Sequence, residues 1–207
     1  MGSEMCIRDR YCDSPNSMRR RAVRTVLDRL FYCLTTWLAP ALVFTSEEAW
    51  LSRFPSSGDS VHLQGFPEIP SEYYDKDLAD RWRRIREIRR VINGALEVER
   101  AEKRIGSSLE ASVRLYLSEK TDADLVGSVD MAELTISSEV VVATKSGPEG
   151  AYSVDGVKGV SVEVSSAQGE KCARCWQYSS DVGTFPGHPD LCKRCYSVIE
   201  GRALQSD

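Results

Sequence analysis

The chain has 207 residues, 42% hydrophobic and 28% charged, with 27 Lys and Arg against 31 Asp and Glu and a formal net charge of −4. Such a composition supplies core for one or two domains and excludes a collagen-like chain, a disulfide-dense mini-protein and a long disordered acidic tail. Averaged over the whole chain, the balance also speaks against a basic nucleic-acid-binding protein.

The average hides an uneven distribution. Residues 1–104 carry net +2, residues 105–168 net −6 and residues 169–207 net 0. Arg outnumbers Lys 20 to 7, which suits phosphate recognition and also accompanies GC-rich coding. The first ten residues, MGSEMCIRDR, have no periodicity and no apolar stretch of a secretory signal. Residues 1–12 are expected to be a scar or otherwise non-native, with the natural chain continuing upstream.

From Ser17 to Ala39 the apolar residues Val23, Leu27, Leu30, Phe31, Leu34, Trp37 and Leu38 recur every three or four positions. This predicts an amphipathic helix with a wide buried face, started near Ser14-Pro15 and broken at Pro40. Leu30 to Ser46 is the longest uncharged run, 17 residues interrupted by Thr and Pro. A buried helix is expected there rather than a membrane span, which needs about 20 apolar residues. Thr45 and Glu48 form a capping box predicted to open a second helix through Ala49, Trp50 and Leu51. Residues 55–70 read as a loop with an extended piece at Val61–Leu63, after which Ser71 is placed to cap the next element.

A long helix is predicted over Leu78–Ile105, with apolar face Trp82, Ile85, Ile88, Ile92, Ala95, Leu96 and Val98 and Gly106 as its C-terminal cap. Gly94 costs such a helix about 1 kcal/mol relative to Ala, which predicts a close contact at that point. Its outer face is charged: from Arg81 to Arg104 nine basic residues oppose four acidic ones. That stripe is either a phosphate-neutralising surface or simply a solvated face. Beyond Gly106 the period changes to two. Ser112–Leu117 reads as a strand, Asp122–Glu133 as a short helix, and Leu134–Thr144 and Val157–Val164 as β-rich stretches about a Gly-rich turn at 147–150. The fold class expected is thus mainly α-helical, followed by a small α/β unit over 107–167 and a cysteine-rich tail.

That tail carries the strongest motif, Cys172-Ala-Arg-Cys175, sixteen residues, then Cys192-Lys-Arg-Cys195. Two CxxC knuckles facing each other place four sulfurs at the corners of a tetrahedron, the arrangement of a closed structural zinc site with no position left for a catalytic water. Two disulfides or a rubredoxin-like iron are the rival readings. His188 in the insert is a substitute ligand or, more commonly for such a position, a surface residue. The total of seven Cys is odd and does not resemble a secreted disulfide framework. Lys171, Arg174, Lys193 and Arg194 beside the knuckles offset the thiolate charge. Together with Trp176 and Tyr178, the Arg and Lys side chains also suit contact with exposed bases and phosphates. With only His62 and His188, and no GxxxxGK[ST], HExxH or GxSxG motif, no catalytic residue is assigned.

Four segments in order resemble bacterial isoleucyl-tRNA synthetases: Trp37–Trp50 (WLAPALVFTSEEAW), Ser60–Glu68 (SVHLQGFPE), Leu96–Tyr116 (LEVERAEKRIGSSLEASVRLY) and Glu170–Cys195 around the two knuckles. The family often has His where this chain has Gln177. The resemblance implies part of a class I synthetase's helical anticodon-binding domain at 13–106, a junction subdomain at 107–168, a zinc module at 169–203 and a tail at 204–207. It implies one structural zinc on Cys172, Cys175, Cys192 and Cys195, and isoleucine tRNA as partner. Lys103, Arg104, Arg174, Trp176, Lys193 and Arg194 are the expected tRNA contacts. The full enzyme would be cytoplasmic and monomeric and would use ATP in catalytic and editing domains lying outside this chain, which alone is expected to be inactive. The alternatives are the zinc-finger part of a formamidopyrimidine-type DNA glycosylase and a non-catalytic zinc scaffold.

Overall fold

The computed structural model describes residues 11–56 and 58–203, with Arg202 and Ala203 as backbone only. The expected non-native N-terminus lies outside the described residues except for Tyr11 and Cys12, and the tail at 204–207 lies wholly outside them. The chain divides into two compact units, residues 15–75 and the remainder, and the division falls inside the segment 13–106.

In the first unit, Ser17 caps helix α1 (Met18–Leu38), its hydroxyl accepting the Arg20 N–H at 3.1 Å. Pro40 ends α1 as expected, and residues 39–42 turn directly into α2 (Val43–Arg53). Helix α2 therefore starts two residues before Thr45, with Leu42 at the cap position and no capping side chain. The expected Thr45–Glu48 box does not form because Thr45 already lies inside the helix, past the cap position at Leu42, while Glu47 fastens the following loop. Its carboxylate accepts the Val61 N–H at 2.9 Å and the Ser60 hydroxyl at 3.0 Å, fastening the loop beneath α2. Val61–Leu63 is a 3-10 turn, not an extended piece, because Ser60 caps the His62 N–H. Ser71 likewise opens a 3-10 turn, Ser71–Tyr73, without a side-chain cap.

Trp50 is the centre of this unit, packed against Tyr32, Phe31 and Phe54 with ring centroids 5.5, 6.4 and 4.7 Å away and with Val61 and Ala39 around it. The wide buried face expected of α1 is not observed. Leu27, Leu30, Leu34, Trp37 and Leu38 are exposed, while Cys33, Thr35 and Thr36 are buried. The threonines are tolerated inside because each hydroxyl bonds back to a carbonyl four residues earlier, Thr35 to Phe31 at 2.7 Å and Thr36 to Tyr32 at 2.8 Å.

The second unit is built on α3 (Lys76–Ala101), whose Ile85, Ile88, Val91, Ile92, Ala95 and Leu96 are buried. They pack on a three-stranded sheet of β1 (Ala111–Leu117), β2 (Glu139–Ala143) and β3 (Val160–Ser166), in the order β2-β1-β3. Alternation puts Val113, Leu115 and Leu117 of the central strand into that core, each fully buried. Strand β2 runs parallel to β1 and β3 antiparallel, with Leu115 opposite both Val142 and Val162. The β1–β2 crossover holds two helices, α4 (Lys120–Gly127) and α5 (Met131–Thr135), where the sequence predicts one. Asp130 separates them by capping α5 through the Glu133 N–H at 3.0 Å.

Gly94 has the predicted close contact, since a Cβ there would come within 2.9 Å of the Tyr152 ring. Helix α3 ends at Ala101, four residues before the expected limit, and Val98 is exposed rather than part of the apolar face. Lys103, at φ 57°, takes the left-handed cap position expected of Gly106. The Arg104 N–H closes the turn on the Glu99 carbonyl at 2.9 Å. Gly106 instead donates its N–H to the Glu110 carboxylate at 2.8 Å. No helix among the described residues is long and apolar enough to cross a membrane.

Candidate metal centre and nucleic-acid surface

The two knuckles lie on opposite sides of a sixteen-residue insert. The short antiparallel pair β4 (Glu170–Lys171) and β5 (Tyr178–Ser179) folds the first knuckle back on itself. Gly169, at φ 89°, permits this: any Cβ would collide with the Ser179 backbone. The second knuckle runs into α6 (Lys193–Ala203), whose start is capped by Asp181 accepting the Lys193 N–H at 2.9 Å. Within the insert, Phe185 stacks on Tyr196 at 4.4 Å and His188 meets the same ring edge-on at 6.1 Å. His188 is thereby turned toward Glu200, 4.0 Å away, and does not join the cysteine cluster.

Cys172, Cys175, Cys192 and Cys195 are all buried, and their sulfurs lie within 4.8 Å of one another. The Cys175 and Cys192 sulfurs are 3.7 Å apart. A disulfide requires about 2.05 Å, and these cysteines are free thiols. A tetrahedron of metal–sulfur bonds about 2.3 Å long sets its sulfurs about 3.8 Å apart. The Cys192 N–H donates to the Cys172 sulfur at 3.3 Å. Close packing pushes Cys175 and Cys195 in opposite directions. Hydrogen bonds to Cys192 and Cys195, with burial, hold the Cys175 thiol above its usual range. Those from Cys12, Cys175 and Cys192 hold Cys195 below its own. Four thiolates cannot share this volume as bare like charges, and a divalent cation removes the conflict. The donor set therefore fits a structural metal.

Arg174 and Arg194, read from sequence as RNA contacts, are turned toward the first described residues. Arg174 donates to the Cys12 carbonyl at 2.8 Å and the Tyr11 carbonyl at 3.1 Å, and Arg194 pairs with Asp13. Burial opposes the charge on Arg194, and Asp13 and the cluster sulfurs outweigh it, so its proton is held more tightly than usual. Cys12 lies 1% exposed against the cluster, its thiol 3.4 Å from the Arg174 carbonyl. Lys193 is exposed. Trp176 is 43% exposed in a left-handed conformation at φ 66°, with the Lys171 ammonium 5.7 Å from its ring centroid. An open indole carrying a cation suits base stacking. Tyr178 is half-buried, its backbone N–H held by the Ser138 hydroxyl at 2.8 Å. Gln177 donates to the Ser137 carbonyl at 3.2 Å. These two bonds seat the module on the sheet, a role the sequence does not signal because the partners are 40 residues away.

Lys103 and Arg104 stand apart from the cysteine cluster, on the turn after α3. Arg104 is held by Glu99 at 2.7 Å and by Glu102, while Lys103 is exposed. The basic stripe of α3 divides in the same way. Arg84 grips Asp122 through two nitrogens, at 2.9 and 2.5 Å, and Arg89 donates to the Leu134 carbonyl at 2.7 Å. Among the described residues, Arg86, Arg90 and Lys103 have no ion-pair partner.

Residues 4–115 match the model of the anticodon-binding domain of tRNA ligases, and residues 169–198 match that of the zinc finger found in formamidopyrimidine-DNA glycosylases and isoleucyl-tRNA synthetases. The chain belongs to the anticodon-binding domain family of tRNA ligases. Among its relatives is the isoleucine–tRNA ligase of Brucella abortus biovar 1 (strain 9-941), 49% identical over 95% of this chain and 20% of its own length. The isoleucine–tRNA ligases of Mesorhizobium japonicum, 47% identical over 91% of the chain, and of Agrobacterium fabrum, 49% identical over 89%, each align over 19% of their length. The chain thus spans about a fifth of the length of the curated relatives it matches.

Proposed function

We propose that the chain is the tRNA-holding part of an isoleucine–tRNA ligase, an enzyme that joins isoleucine to its tRNA with ATP. The observation that carries this is the order of two family matches on one chain, an anticodon-binding domain followed by this type of zinc finger. The glycosylase reading accounts for the second match alone. In the proposed layout, residues 13–106 belong to the anticodon-binding domain, 107–168 form a junction and 169–203 a zinc module. One zinc ion is held by Cys172, Cys175, Cys192 and Cys195 and supplies rigidity only, since four sulfurs close its shell. Trp176 and Lys193 are the module's open contacts to isoleucine tRNA, and Lys103 and Arg104 supply charge from the α3 turn. Arg174 and Arg194 support the surface through residues 11–13. The adenylate chemistry belongs to the remaining length of the relatives, in a monomeric cytoplasmic enzyme.

The test is binding of the zinc-loaded chain to a GAU-type anticodon stem-loop against unrelated hairpins. Preference for the first, with affinity falling as salt rises, is expected. Equal, salt-insensitive affinity for all hairpins overturns the reading. ATP–pyrophosphate exchange with isoleucine by this chain is expected to be absent.

A further inference from the structure

We propose that the groove between α3 and the α5 end is a pocket for a single extruded nucleotide of the bound RNA, an inference that rests on the tRNA-holding reading above. The cavity has a volume of about 520 Å³, within the range of small-ligand sites. One wall is the outer face of α3, where Arg90, Asn93 and Arg100 follow one another at helical spacing. The other wall is Ser107 and Ser108 on one side and Ile136 on the other, over a floor containing Leu96.

Two properties distinguish this groove from an ordinary solvated face. Its lining holds Arg89, Arg90 and Arg100 against Glu97; Arg100 is paired with Glu97 at 2.9 Å and Arg89 donates to the Leu134 carbonyl, which leaves Arg90 without an ion-pair partner among the described residues. The Asn93 amide and the hydroxyls of Ser107 and Ser108 are half-buried with no protein hydrogen-bond partner among the described residues. A phosphate meets Arg90, the amide and hydroxyls read the edge of a base, and Leu96 and Ile136 offer its faces an apolar contact. Ile136 is itself held at φ 58°, ψ 39°, a conformation a β-branched residue rarely adopts. The Schellman-type turn that enforces it, Ser137 N–H to Ala132 carbonyl at 2.9 Å, sets the Ile136 side chain on the rim. A base stacked in a closed helix does not reach such a pocket, whereas a splayed loop nucleotide does.

The experiment uses the zinc-loaded chain, ¹⁵N-labelled, titrated separately with adenosine and uridine 5′-monophosphates, inorganic phosphate and the GAU stem-loop. The expected result is saturable shifts of the Asn93 side-chain amide and the Ser107 and Ser108 backbone amides with a nucleotide, reproduced by the stem-loop. Arg90→Gln should weaken nucleotide binding about tenfold, the loss of one charge-assisted hydrogen bond, with the Val113 and Leu115 signals unmoved. Asn93→Ala should do so without changing the salt dependence. Shifts absent with every nucleotide, or matched in full by phosphate alone, overturn the pocket. A stem-loop that binds without moving these signals overturns it too, leaving the tRNA reading intact. A stem-loop that fails to bind while nucleotides shift the groove supports the pocket and sinks the tRNA reading.

Discussion

At the scale of single residues, the chemistry is concentrated in four sulfurs and a few groups that orient them. Replacing Cys172 or Cys192 by Ser removes one corner of a buried tetrahedron and leaves three thiols with no shared cation. Each variant is expected to lose its zinc and to unfold residues 169–200, measured as metal content per chain and as loss of the Trp176 fluorescence signature. A chain with no metal before mutation, or a tail indifferent to both changes, would refute the structural-metal assignment. Gly94 allows a test of packing without chemistry. Gly94→Ala adds about 1 kcal/mol of helix propensity. It also drives a methyl into the Tyr152 ring, and overpacking typically costs about 1–3 kcal/mol. A net loss of stability is expected in urea denaturation, with recovery when Tyr152 is changed to Ser in the same chain. Glu99 titrates in a known direction: its hydrogen bonds from Arg104 hold its carboxyl below the usual range. Its contribution to stability is therefore present above the ordinary carboxylate pKa and lost as pH falls through the lowered one. Arg104→Gln should flatten the acid side of the stability profile over that window.

At the scale of elements, helix α3 is joined to the sheet by apolar burial and clamped to α4 by an ion pair. Asp122 is 7% exposed and is held by two nitrogens of Arg84. Removing the guanidinium leaves a carboxylate in a place poor in water, and breaking such a pair costs about 3–5 kcal/mol when both groups are fully buried. Arg84 is partly exposed, so Arg84→Met is expected to cost less, about 2 kcal/mol, with much of it restored in the Arg84→Met, Asp122→Leu double variant. A double-mutant cycle in urea measures the coupling directly.

This clamp also shows why legibility varied along the chain. The CxxC pairs, the Gly94 contact and the alternation of Ser112–Leu117 are readable because their cause is local: a tight knuckle, a missing Cβ, a pleat. The division of the α3 arginines is not, because Arg84 and Arg89 find partners 38 and 45 residues away, and helical periodicity carries no record of such partners. The bonds of Arg174 and Arg194 to residues 11–13 are illegible for the same reason. The cap at Lys103 escaped notice because a propensity for Gly was overridden by the helix ending four residues early. The exposed stripe of α1 has apolar spacing that describes a face without saying what, if anything, lies against it.

At the scale of the molecule, the chain is two compact units of unlike construction. Residues 15–75 are held by an aromatic cluster about Trp50, and the second unit by an aliphatic core with a cysteine cluster at its end. Each rests on a different kind of cohesion, so their losses are separable. A chelator is expected to abolish the protection of amides in residues 169–200 from hydrogen exchange. The amides of Val113 and Leu115, in the aliphatic core, should keep theirs. Parallel loss of protection at both places would mean that the metal holds the whole unit rather than its tail.

The grip of Arg174 and Arg194 on Tyr11, Cys12 and Asp13 has a consequence in time as well as in space. The Cys12 contact joins residues 162 positions apart, so it cannot form while the intervening chain is still being made. At about 5–20 residues per second, a ribosome needs roughly 10–30 s to cover that distance. Through that interval Cys12 has none of the shelter it later receives beneath the second knuckle. The first described residues are thus among the last to be folded, and oxidation of the nascent Cys12 thiol would fall in the gap between its synthesis and the arrival of the module that covers it.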